Sequence, residues 1–252
     1  MLVTPKLVWL LLIASPIPGF AQRASDTGKV RLRPIHRIGK DLDGWPLIVN
    51  PENDAERRIN RTLDSYNVET RKTLPQCIEW DRKISVTMAG PRFLSLRASG
   101  SIFCGGGHPD PYDAALVFDL ATGELLNGST ILEKNAAIKW TPTKNIVHYP
   151  QSDKFVISAP ELDDMLIAAA SDNCKKSLQE IKRDSDLSPI LYSVWPDAKM
   201  NEVVVKPVSL SYLDYLMCSE EVGVPLAEAR KLGFAESFLQ AIDQAHRAIV
   251  RR

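Results

Sequence analysis

A chain of 252 residues is long enough for one or two domains, and the composition is that of an ordinary globular protein. Its 31 basic and 31 acidic side chains balance, so there is no charge excess of the kind that draws a protein to nucleic acid or to an anionic membrane surface. Walker, Gly-x-Ser-x-Gly, His-Glu-x-x-His and dinucleotide-binding patterns are absent, and there is neither an internal repeat nor a low-complexity segment.

Residues 1–21 read as a signal peptide. Lys6 gives the positive n-region, Leu7 to Ala14 the apolar h-region, and Gly19-Phe20-Ala21 places small residues at both cleavage subsites. A retained anchor needs about 18–20 apolar residues, and Pro16 and Pro18 break this run. No membrane span is expected after cleavage, and no cysteine follows the site to carry a lipid. Loss of Lys6 leaves one more acid than base. The polar residues 22–29 are expected to be loose. Residues 30–252 are expected to form a single domain, with halves at about 30–75 and 76–252 as the other division.

Val30 to Ile38 alternates with Arg and His and predicts a weak strand, with His36 and Arg37 on its solvated side. Asn50-Pro51 reads as an N-cap followed by a proline in the first turn, opening a helix over 51–66. Ala55, Ile59, Leu63 and Tyr66 form its apolar stripe. Arg57, Arg58 and Arg61 lie on its polar side, as a solvated face or a ligand patch.

The chain is organised around Phe93 to Leu126. Leu94, Leu96 and Ala98 alternate, as do Ile84, Val86 and Met88 upstream, and Gly90-Pro91 is a turn signal between them. The pattern predicts an antiparallel hairpin of 82–88 with 93–103, Val86 facing Leu94 and Ile84 facing Leu96. Gly100 inside the second strand suggests a bulge. With that extra residue, Cys77 comes opposite Cys104. A third strand, Ala114 to Leu120, completes a meander.

Leu126 to Lys154 carries little pattern, though Trp140 and Tyr149 could pack on the sheet or line a groove. Phe155 to Ser158 reads as a strand, and Ser158-Ala-Pro-Glu161 as a capping box. Leu162, Met165, Leu166 and Ala169 give the following helix its apolar face, and it is expected to run on through Leu178 and Ile181, over 159–181. Ile190 to Trp195 and Val203 to Val205 predict strands joined at Pro196-Asp197-Ala198. Pro225 and Gly233 bracket a short helix. A last helix runs from about Ala235 to Val250, with Phe238, Ile242, Ala245 and Ile249 inward and His246 at the surface. The fold class is therefore α+β, an antiparallel meander sheet covered by the helices at 51–66 and 159–181.

Four cysteines in an exported chain, Cys77, Cys104, Cys174 and Cys218, read as two disulfides with three possible connectivities. Hairpin register favours Cys77–Cys104, which leaves Cys174–Cys218. No Cys-x-x-Cys spacing supports zinc, and neither a metal nor another cofactor is expected.

Between the second and third strands lies Cys104-Gly-Gly-Gly-His-Pro-Asp-Pro-Tyr112. Gly106, Gly107, His108, Asp110 and Asp113 are the candidate binding residues. An imidazole and two carboxylates in one loop could act as acid and base or hold a metal. The same glycines, prolines and aspartates also make a plain strand connection.

The run Leu94 to Leu126 resembles the core of the extracytoplasmic domain shared by the lysozyme-sensing anti-sigma factor RsiV and the non-catalytic part of a peptidoglycan deacetylase. Gly106-Gly107-His108 matches that family's glycine-histidine loop, and Phe118-Asp119-Leu120-Ala121-Thr122-Gly123-Glu124 its strand end. Trp45-Pro46-Leu47-Ile48 and a helix bearing Ile59-Asn60 resemble its N-terminal half. The resemblance runs through most of 30–232, and the cysteines depart from the anti-sigma pattern, as in a separate secreted branch. It implies a periplasmic or secreted, non-enzymatic binding module whose partner is an envelope protein of lysozyme type or peptidoglycan. Only six residues precede Leu7, so the cytoplasmic arm of an anti-sigma factor is not expected. The competing function is an envelope hydrolase using His108 with Asp110 or Asp113.

Overall fold

The computed structural model describes residues 30–126, 128–133, 136, 139–140, 156–158, 160–183, 190–208, 210, 218 and 220–251. The signal-peptide reading, residues 22–29, Tyr149, the side chain of Trp140 and most of the run before Cys218 lie outside them.

The described residues form an α+β fold with antiparallel sheets. Helix α1 (Asp54–Thr73) is followed by β1 (Glu79–Ala89), β2 (Phe93–Phe103) and β3 (Asp110–Asp119), a meander in that order. After the single turn α2 (Gly128–Ile131), β4 (Lys139–Trp140) and β5 (Val156–Ser158) begin a second antiparallel sheet. Helices α3 (Pro160–Ala169) and α4 (Asp172–Arg183) come next, then β6 (Tyr192–Asp197), β7 (Glu202–Pro207) and β8 (Val222–Pro225) complete the order β4-β5-β6-β7-β8. Helices α5 (Leu226–Lys231) and α6 (Glu236–Val250) close the described chain.

Alternation along the meander sorts its side chains between two cores. Leu94, Leu96, Ala98 and Ile102 of β2, with Tyr112, Ala114, Leu116 and Phe118 of β3, pack on Ile59 and Leu63 of α1 and on Trp45 and Ile48 of the segment before it. The other face contributes Phe93, Ala115 and Val117 to a core shared with Tyr192, Val194 and Trp195 of β6, Val203 and Val205 of β7, and Phe238 and Ile242 of α6. The second sheet thus covers the face of the meander that α1 does not. The expected single helix over 159–181 is instead α3 and α4, and it belongs to the second sheet rather than capping the meander: Tyr192 Oη on β6 donates to Asp163 Oδ1 on α3 at 2.5 Å. The chain leaves the helix at Ala170 and restarts after Ser171, although Leu162, Leu166, Ala170, Cys174 and Leu178 stay buried at four-residue intervals through the break.

The hairpin forms with a register two residues from the expected one. Val86 faces Leu96 and Ile84 faces Ala98. Parity is kept, so both apolar faces still coincide. The irregularity lies at Thr87, between Val86 and Met88, not at Gly100, which pairs straight across with Arg82. Past Thr87 the strand turns over: Met88 joins the second core and Ala89 the first. The Thr87 carbonyl accepts from Ala198 N at 2.9 Å, at the β6–β7 turn, so the bulge docks the two sheets. Gly100 is a glycine for another reason, since a Cβ there would fall on the Asp81 carbonyl of the neighbouring strand.

Helix α1 starts later than expected. Asn50 has φ +48°, and the cap is Asn53, whose Oδ1 accepts from Glu56 N at 2.9 Å. Two asparagines on α1 hold the preceding extended segment by two-point contacts. Asn67 bonds Trp45 N (2.7 Å) and O (3.0 Å), and Asn60 bonds Ile48 N (2.7 Å) and O (3.0 Å). Each carboxamide takes the place of a neighbouring strand on the side of the segment that faces α1, while residues 31–33 pair with 47–49 on the other side. Leu32 and Ile48 form one isolated bridge and Arg37 and Asp43 another, in place of the weak strand over 30–38, and His36 and Arg37 are exposed as expected. The two disulfides are Cys77–Cys104 and Cys174–Cys218. Ile78 N donates to Phe103 O at 2.6 Å and advances β1 by the one residue that brings Cys77 beside Cys104. None of the described helices is long and apolar enough to cross a membrane.

Candidate functional site

The third strand begins four residues earlier than its apolar pattern suggests, and this divides the candidate residues. Asp110 pairs with Ile102 and Asp113 with Ser99, so both aspartates are strand residues, and only residues 104–109 form the connection. Three positions apart on a strand, the two aspartates point to opposite faces.

Gly106, Gly107, His108 and Asp110 are exposed at the end of the meander. Gly105 and Gly106 take φ of +106° and +117°, a region open mainly to glycine. A Cβ placed on any of the three glycines would have nothing within 4 Å, so the loop stands clear of the body. His108 Nδ1 is 3.1 Å from the Pro109 carbonyl oxygen and 3.8 Å from Asp110 Oδ1, with the two side chains 45% and 53% exposed. Both ends are anchored, Cys104 by its disulfide and Asp110 by the β2–β3 ladder.

Asp113 lies in the seam between the sheets. Its Oδ2 is 2.6 Å from Lys206 Nζ on β7 and its Oδ1 3.2 Å from Arg97 Nη2 on β2. Arg97 also pairs with Glu221 and lies over the Trp195 ring at 5.1 Å. Asp113 and Lys206 are nearly fully enclosed. Neither cation was marked by the sequence reading. A faint signal existed for one of them, since Lys206 follows three buried valines of β7.

Other polar groups also escaped it. Arg82 is fully buried on the α1 side of the meander. It donates to the Asp43 carbonyl through Nε (2.9 Å) and Nη2 (2.7 Å), and its guanidinium lies 5.4 to 5.9 Å from the rings of Trp45, Tyr112 and Trp80. Burial holds the Tyr112 phenol above its ordinary value, against the charge and hydrogen bond of Arg82. On the second sheet, burial pushes the Asp163 carboxyl up, against the opposing hydrogen bond from Tyr192 and the charge of Lys182. Burial and Asp163 together push the Tyr192 phenol up. Of the arginines on α1, Arg57 pairs with Asp54 at 2.7 Å and Arg58 with Glu124. Among the described residues, no three His, Cys, Asp or Glu side chains converge as a metal site.

No family model matches the chain, and no curated protein does. Among solved structures, the chain is similar to a member of the DUF3298 family from Bacteroides fragilis NCTC 9343, at 10% identity and a TM-score of 0.46, over 81% of this chain and 87% of that one. It is also similar to a DUF3298 family protein from Pseudomonas aeruginosa PAO1, at 13% identity and a TM-score of 0.43, over 83% of this chain and 92% of that one.

Proposed function

We propose that the protein is an exported binding module of the cell envelope, and that the loop 104–110 is its contact surface. The observation that carries this reading is the loop's construction. A segment free of contacts at its glycines is held at one end by a disulfide and at the other by a strand ladder. Such anchoring lowers the ordering cost of binding. Two disulfides suit an oxidising compartment outside the cytoplasm. The resemblance in Gly106-Gly107-His108 and Phe118 to Glu124 names the ligand class, a lysozyme-like protein or peptidoglycan.

The test is capture from envelope extract by the oxidised mature chain, together with co-sedimentation with purified peptidoglycan. The wild-type chain is expected to retain a ligand in one of the two assays, and a chain carrying His108→Ala and Asp110→Ala to lose it. Equal retention by the double variant, or retention in neither assay, overturns the reading.

The hydrolase reading draws on one distance, the 3.8 Å between His108 and Asp110. That exceeds the 2.6–3.2 Å or so of a working acid–base contact. Asp113 is meanwhile committed to Arg97 and Lys206. Release of soluble fragments from peptidoglycan by the wild-type chain, and its loss in His108→Ala, would restore that reading.

A further inference from the structure

The opposite end of β2 from the loop, roughly 30 Å away for a strand of this length, borders a surface hollow of about 400 Å³. This is within the size range of small-molecule sites. Val30, Pro91 and Leu120 supply apolar walls, and Asn53, Glu56 and Arg92 supply polar groups.

The charged groups are oriented by their own contacts. Glu56 Oε2 accepts from Glu52 N at 2.8 Å, and its Oε1 accepts from Asn53 Nδ2 at 3.2 Å. A carboxylate has about four acceptor positions, so lone pairs remain for a ligand. The Arg92 guanidinium lies over the Phe93 ring at 5.4 Å and gives Nη2 to Asp119 Oδ2 at 3.3 Å. Its side chain is 54% exposed, with N–H groups left over for a second carboxylate.

A lone anion at Arg92 would also meet Glu56, and a lone cation at Glu56 would also meet Arg92. A molecule carrying both charges on a small apolar body satisfies both. We propose that this hollow binds a short zwitterionic peptide. Its free carboxylate lies on Arg92, its free ammonium on Glu56, and its side chains against Val30, Pro91 and Leu120. This site is separate from the loop proposed above, and the variants below leave that loop intact, so the two tests fail independently.

The probe is the dipeptide Ala-Ala, followed by amide chemical shifts of the labelled mature chain. Shifts centred on Val30, Leu120 and Ala121 are expected at millimolar dipeptide. Amidating its carboxylate or acetylating its amine should each weaken binding at least about tenfold. Arg92→Ala should abolish the preference for the free carboxylate, and Glu56→Gln, which keeps an acceptor for the cap, the preference for the free amine. Ala121→Trp at the rim should block binding while removing no charged group. Any of three results overturns the proposal: no shifts at about 10 mM dipeptide, unchanged preferences in both charge variants, or wild-type binding by a folded Ala121→Trp chain.

Discussion

Lys206 Nζ and Asp113 Oδ2, 93 residues apart in sequence, lie 2.6 Å apart in the seam between the two sheets. The pair ties β3 to β7, and Arg97 completes it from β2. Two cations therefore share one enclosed carboxylate, and Arg97 has Glu221 as a second partner. Removing the shared carboxylate takes a close counter-charge from a nearly enclosed ammonium, which is strongly destabilising.

Asp113→Ala is accordingly expected to destabilise the protein by about 3–5 kcal/mol. Asp110→Ala, an exposed change three residues earlier, should stay within about 0.5 kcal/mol. Denaturant titration of the oxidised chain compares the two. Equal, small effects would mean that the seam does not depend on this charge.

The Asp163–Tyr192 pair predicts a pH dependence of definite sign. Burial raises the folded-state pKa of Asp163 above its ordinary value, with Glu161 and Asp164 adding to the rise and Tyr192 and Lys182 opposing it. The folded state then holds the proton more tightly than the unfolded chain does. The contribution is fully present below about pH 4, the unfolded value, and is lost as pH rises through the raised one. Asp163→Asn removes this titration. The stability of the variant relative to wild type should therefore rise between pH 4 and pH 7. A flat or falling difference would show that the hydrogen bond from Tyr192 outweighs burial.

Gly100→Ala tests why a glycine interrupts β2. A bulge would tolerate alanine, whereas the straight pairing with Arg82 puts the new methyl group on the Asp81 carbonyl oxygen. Overpacking of this kind costs about 1–3 kcal/mol. A variant as stable as wild type would return the irregularity to Gly100.

The meander was legible because Ile84, Val86, Leu94 and Leu96 alternate and a two-residue error leaves the same residues facing the core. The bulge was not legible, since Thr87 owes its place to a contact with Ala198 more than a hundred residues away. The break between α3 and α4 was hidden by the four-residue spacing that continues from Leu162 to Leu178. Asn50-Pro51 and Asn53 carry the same capping chemistry, and only the backbone separates them: Asn50 is left-handed, while Asn53 is extended and caps. At the candidate site, local composition found the exposed glycines and His108. It could not separate Asp110 from Asp113, whose cationic partners lie 16 and 93 residues away.

The two disulfides differ in what they hold. Cys174–Cys218 is fully buried and closes a separation of 44 residues, whereas Cys77–Cys104 lies at the sheet's end, closes 27 and anchors the loop. In the chain-entropy account, loops of these lengths contribute roughly 3.5 kcal/mol for the shorter and 4 kcal/mol for the longer. Replacing either pair by alanines should therefore lower stability by several kcal/mol. Their effects on binding should diverge. Without Cys77–Cys104 the loop's first end is held only through Phe103, which pairs with Glu79 and accepts from Ile78 N, so ligand retention should fall even at temperatures where the variant is fully folded. Without Cys174–Cys218 the loop keeps both anchors, and retention should follow the folded fraction alone. Denaturation and ligand capture on the same two variants separate these effects. Equal retention per folded molecule would show that the first bridge serves stability and does not prepare the loop for its ligand.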